Sequence, residues 1–171
     1  MPRYLWLAIL PFFLGCAKDH NIPPAKLDYL ELSRKNESFY TVKFASDADL
    51  LNVFKPEDSP VGGLLRCSLS SDNAANEDGA ERYVASGLIY AVQPISSSGP
   101  FVFYSSIMFS ESINSGRTHR PLEAQELREI LSVRQSVPCV YRFTAYGFKP
   151  YYSEVLPVPV SDILRELDEG Y

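Results

Sequence analysis

Hydrophobic and polar positions alternate with a period of two over most of the chain. That spacing places successive side chains on opposite faces of a strand. Leu65, Cys67 and Leu69 fall on one side of residues 64–69, with Arg66 and Ser68 on the other. Residues 137–146 repeat the pattern, with Cys139, Tyr141 and Phe143 against Arg142 and Thr144. Residues 40–45 predict a further strand, residues 27–32 a short strand or turn, and residues 47–54 are ambiguous. Residues 83–93 carry Val84, Leu88, Tyr90 and Val92 on one side, and residues 101–109 carry Phe101, Phe103, Ile107 and Phe109. Both faces of these two strands are fairly apolar, as in central strands of a sandwich. Residues 151–160 return as an edge, because Pro157 and Pro159 cannot donate ladder hydrogen bonds.

Helical spacing is confined to two places. Residues 122–135 bring Ala124, Leu127, Ile130 and Leu131 onto one stripe, with Pro121 suited to the first turn and Glu123 and Glu126 to the positive end. Ser161 can cap a short last helix over residues 162–167. Residues 70–81 and 96–100 read as polar loops, and residues 147–150 as a turn. The fold class expected is mainly β: an antiparallel β-sandwich with one inserted helix and a short C-terminal helix.

The N-terminus follows a different rule. Arg3 precedes an uncharged apolar run from Tyr4 to Leu14, and polar residues begin directly after Cys16. A run of 11 residues suits the hydrophobic region of an export signal. It falls short of the roughly 20 apolar residues needed to cross a bilayer. Residues 1–15 are therefore expected to be a signal peptide, 16–26 a polar tether with a Pro-Pro pair, and 27–171 a single β-rich domain.

The cut site Phe13-Leu14-Gly15-Cys16 resembles the lipobox of bacterial lipoproteins, in which a small residue precedes the cysteine that becomes lipidated. Gly15 and Cys16 match that pattern, whereas Phe13 stands for the usual Leu and Leu14 for the usual small residue. The resemblance implies a membrane anchor through lipid on Cys16. With Ala17 where an Asp would favour inner-membrane retention, it implies the periplasmic side of the outer membrane. The other reading is an ordinary secreted protein in which Cys16 is incidental.

Composition narrows the partners. The chain of 171 residues has 16 Lys+Arg against 21 Asp+Glu, a net charge of −5 that becomes −6 once Arg3 leaves. Such a surface repels phosphate backbones, and no basic run offsets it, so nucleic acid is not an expected partner. Beyond Cys16 the cysteines are Cys67 and Cys139, which make a single pair in an oxidising compartment. Both project among apolar neighbours, as a bridge between two packed sheets requires. Two buried free thiols are the other possibility. Two distant cysteines and two histidines offer no metal-ligand cluster, and no cofactor is implied.

Two stretches are candidate contacts for a partner. Arg117, His119 and Arg120 concentrate cations in a polar segment, residues 110–120, suited to an acidic surface; otherwise the segment is a solvated loop. Tyr146, Phe148, Tyr151 and Tyr152 flank a turn, and form either a recognition surface or a packed corner. His119 lacks a nucleophile elbow beside it, and Cys139 follows Pro138 within an apolar strand, so no catalytic site and no enzyme is expected.

The layout also resembles the periplasmic immunity lipoproteins that protect against type VI secretion effectors. It shares the short signal with Cys16, one cysteine pair, a β-rich body and residues 147–153 (GFKPYYS) before an edge strand. This similarity implies a protein that binds and covers a secreted toxin. The alternative is a structural or assembly lipoprotein of the envelope or a secretion system.

Overall fold

The computed structural model describes residues 17–70, 81–92, 99–114 and 117–169. The expected signal peptide, residues 1–15, and Cys16 lie outside them, as do most of the two polar loops at 70–81 and 96–100. The strands are β1 (Leu27–Arg34), β2 (Phe39–Ser46), β3 (Pro60–Ser68), β4 (Tyr83–Ala91), β5 (Phe101–Ile113), β6 (Thr118–Pro121), β7 (Ser136–Ala145), β8 (Tyr151–Tyr152) and β9 (Leu156–Pro159). The helices are α1 (Ala124–Leu131) and α2 (Val160–Glu169).

Among the described residues the chain is mainly β with two α-helices, the class its pattern predicts. All the strands belong to one antiparallel sheet in the order β1-β2-β5-β4-β3-β7-β8, with β6 paired to β5 and β9 to β7. The sheet curls into a half-barrel. β9 comes round to meet β1, and α2 packs against β1, β7 and β9 there. Two side-chain contacts fix α2 to β1: the Tyr29 hydroxyl donates to Asp162 at 2.6 Å, and the Arg34 amide donates to Glu166 at 2.7 Å.

The core fills the concave side. Phe44, Phe103, Ile107, Leu65, Tyr141, Leu127, Leu131, Leu156 and Ile163 are all buried there. Tyr141 lies across the backbone of Gly63, where a Cβ would collide with its ring, and its hydroxyl donates to the Leu50 carbonyl at 2.9 Å. Burial raises the pKa of that hydroxyl, so it stays a donor.

Cys67 and Cys139 are disulfide-bonded, but not between two layers. They stand directly opposite each other on the adjacent strands β3 and β7, with Cα atoms 3.9 Å apart and both side chains fully buried. In place of two stacked sheets the strands form one continuous curled sheet, so the bridge joins neighbours within it.

Four local expectations change for physical reasons. The helix expected over 122–135 spans Ala124–Leu131, because Pro121 is used as the last residue of β6. Its start is set by a capping box between Glu123 and Glu126. The final helix starts at Val160, straight from β9, so Ser161 lies within its first turn. Most of the polar segment 110–120 is strand and not loop: β5 continues to Ile113 and β6 pairs back on it, with Asn114 at φ 54° after the end of β5. Polar side chains do not prevent ladder pairing, and Glu111 opposite Arg120 adds an attractive cross-strand pair. Lastly, residues 17–26 are no free tether. The Lys18 amide donates to Gly147 and the Lys149 amide to Lys18, both at 2.8 Å, and the Ala25 amide donates to the Tyr151 hydroxyl at 2.7 Å.

Candidate functional site on the convex face

The outward face of the half-barrel is built by register. Side chains directly opposite on antiparallel neighbours share a face. Glu31 on β1 pairs with Lys43 on β2, Lys43 with Tyr104 on β5, and Tyr104 with Tyr90 on β4. A second line runs from Leu88 on β4 to Leu64 on β3, Arg142 on β7 and Tyr152 on β8. Central strands therefore present an apolar and aromatic strip to solvent. Leu88 is 59% exposed, Tyr90 47% and Tyr104 39%.

The two tyrosine rings stack with centroids 5.3 Å apart and planes 23° from parallel. Beside Tyr104 a groove of about 490 Å³ is lined by Glu31, Thr41, Lys43, Ala91 and Val92 among others. At the other end of the strip, Arg142 donates to the Tyr152 hydroxyl at 3.2 Å. The charged side chains that register places on this face include Lys43, Arg66 and Arg142 together with the acids Asp28 and Glu31. Rings and aliphatic carbon flanked by charges of both signs have the composition common to protein contact surfaces.

The residues singled out from sequence are divided by the fold. Arg117 and His119 are exposed on the β5–β6 hairpin, and His119 stands opposite Ser112. Arg120 is engaged: its guanidinium makes a two-pronged contact with Glu126, 2.9 Å on each arm, and reaches Glu111 at 2.7 Å. Hydrogen bonds from Arg120 and from the Glu123 amide hold the Glu126 carboxyl at a pKa of about 2. Arg120, then Arg82, lowers that of Glu111.

The aromatic turn is divided as well. Tyr151 is buried under residues 17–26, and Phe148 is half-buried against Phe54, with ring centroids 5.5 Å apart. Tyr152 joins the convex face, and Tyr146 stays exposed to the solvent. Leu88, Tyr90, Tyr104 and Lys43 were not singled out from sequence. Their signal was the apolar character of both faces of β4 and β5, which reads equally as two-sided burial. Comparison of the chain with family models, curated proteins and solved structures returns no match.

Proposed function

We propose that the protein is a lipid-anchored binding protein on the periplasmic side of the outer membrane, which neutralises a secreted toxin by covering it. The observation that carries the binding role is the exposed strip of Leu88, Tyr90 and Tyr104 in the middle of the sheet. Stacked tyrosines give a large, rigid contact area at small entropic cost, the quality of residues that dominate protein interfaces. Anchoring rests on the lipobox-like Gly15-Cys16, and immunity on the resemblance of the whole layout. In this reading the protein has no chemistry of its own.

The test couples binding to protection. The protein is purified at native expression level with its partner, and the partner is expressed in the periplasm with and without it. The expected result is a toxin whose toxicity the intact protein relieves, and which a Leu88→Asp/Tyr104→Asp variant, still folded, does not. A partner that is a non-toxic component of the envelope would replace immunity with an assembly role.

A further inference from the structure

Residues 17–26 are bound along one end of the half-barrel. Besides the Lys18, Lys149 and Ala25 amides, the His20 ring lies 3.2 Å from the Pro150 carbonyl and edge-on to Phe54, with centroids 5.6 Å apart. The Lys26 amide donates to Asp47 at 2.9 Å. Ten free residues would let the domain drift roughly 33–36 Å from its attachment point. Here Cys16 is two residues from Lys18, which is bonded to Gly147 and Lys149 within the 147–150 turn. A lipid on Cys16 would thus hold that turn within about 7 Å of the headgroups.

What this end exposes fits such a position. Tyr146 is 82% and Val61 74% exposed, among the most exposed large apolar side chains of the described residues. They are neighbours in the fold. The Tyr146 amide donates to the Ser59 carbonyl at 3.1 Å, and Val61 is the bulged residue between the pairs Pro60–Ala145 and Gly62–Thr144. A tyrosine with an apolar ring and a polar tip is the side chain that settles at the boundary between headgroups and acyl chains. The Lys18 ammonium lies 5.9 Å from the centre of the Phe148 ring beside it. Cations are not in excess here: beside Lys18, Lys55 and Lys149 stand Asp19, Glu57 and Asp58, the neighbouring Lys26 is paired with Asp28 at 3.0 Å, and Lys149 is paired with Asp19 at 2.6 Å.

We infer that the Tyr146–Val61 end of the half-barrel is a membrane-contact surface, seated on the phospholipid leaflet that holds the Cys16 lipid. This rests on the lipid-anchor part of the proposed function and adds a fixed orientation to it. The anchor then works as a short clamp, and the domain does not swing on a leash. Without an excess of cations, the contact does not depend on anionic lipid.

The chain itself supplies a clean probe. Its single tryptophan, Trp6, lies in the segment removed on export, so a new tryptophan in the mature protein reports alone. Val133, 86% exposed, precedes β7 just as Tyr146 follows it, so the two mark opposite ends of a strand about 30 Å long. The lipidated protein is placed in nanodiscs of zwitterionic phospholipid brominated high on the acyl chain, with and without phosphatidylglycerol. The expected result is loss of fluorescence for Tyr146→Trp and Val61→Trp, none for Val133→Trp, and no effect of phosphatidylglycerol. Lack of quenching at 146 and 61, or equal quenching at 133, in protein whose Cys16 lipid is verified by mass spectrometry would overturn the orientation while leaving the anchor intact. An unlipidated Cys16 in protein from its native host would remove the anchor and this inference with it.

Discussion

The turn at 146–152 and the strip on β4 and β5 have similar side chains, yet the fold uses them in opposite ways. At the turn, Tyr151 is buried and its hydroxyl accepts the Ala25 amide, while Phe148 packs against Phe54. On the strip, Tyr90 and Tyr104 stack on each other and remain partly open to solvent, next to Leu88. The difference lies in what each has opposite it. The turn has a neighbouring segment, residues 17–26, that needs an acceptor and an apolar cover. The strip faces away from the core, on the convex side. An aromatic cluster signals contact; whether the contact is internal depends on chain that lies far away in sequence.

The inner side of this comparison should respond most strongly to loss of the bridge between β3 and β7. The disulfide closes a separation of 72 residues, so a Cys67→Ala/Cys139→Ala variant is expected to lose about 4 kcal/mol in urea denaturation on chain-entropy grounds. An unchanged unfolding midpoint would show that the buried sheet does not depend on the bridge.

Next comes the space above Gly63. Because the Tyr141 ring is fully buried and tied to the Leu50 carbonyl, it cannot yield to a methyl group. Gly63→Ala is expected to cost about 1–3 kcal/mol, the usual penalty of overpacking. A smaller and more local effect is expected of Tyr151→Phe, which leaves the buried Ala25 amide without its acceptor. The loss is about 1–2 kcal/mol. Hydrogen exchange should rise first in residues 17–26, and uniform protection there would contradict the clamp.

Much of this division was legible in the sequence, and the failures have a common origin. Alternation located β2, β3, β5 and β7, and placed Leu65, Cys67, Tyr141 and Phe143 on the inner side where they lie. Those side chains carry a period set by one strand alone. Pro157 and Pro159 likewise marked a return of the chain, but the single strand expected over 151–160 is two short ones, β8 and β9, both paired with β7 and separated by residues 153–155. The docking of residues 17–26 was hidden because most of its hydrogen bonds come from backbone amides, which every sequence possesses. The β5–β6 hairpin was hidden for the same reason. Leu88 and Tyr90 were assigned to the right strand, but an apolar outward face carries no mark that separates a second layer from an open surface.

The hairpin gives a pH test of the engaged side. Glu126 and Glu111 have lowered pKa values, so their pairing with Arg120 stabilises the fold fully above the ordinary glutamate value of 4.5. That contribution is lost as pH falls toward about 2, where Glu126 takes its proton. An Arg120→Gln variant should be less stable than the parent at neutral pH, with the gap closing between pH 4.5 and about 2. A gap that is constant over that range would mean that the guanidinium acts through packing and not through charge.

The smallest effect on stability belongs to the convex strip, and it separates the two regions most sharply. Leu88 and Tyr104 contribute little to the core, so Leu88→Ser and Tyr104→Ser should each change stability by no more than about 0.5 kcal/mol. The paired variant should cost the sum of the two if the side chains are energetically independent, and less than the sum if the Tyr90–Tyr104 stack supports Leu88. Binding should respond in the reverse order. Loss of a buried aromatic anchor from an interface typically costs 2 kcal/mol or more, roughly thirtyfold in affinity. Tyr104→Ser should therefore lose its partner while its urea curve overlays that of the parent. A large loss of stability with unchanged binding would place the strip with the structural aromatics of the turn, and the functional surface would then have to be sought elsewhere, first at Arg117 and His119.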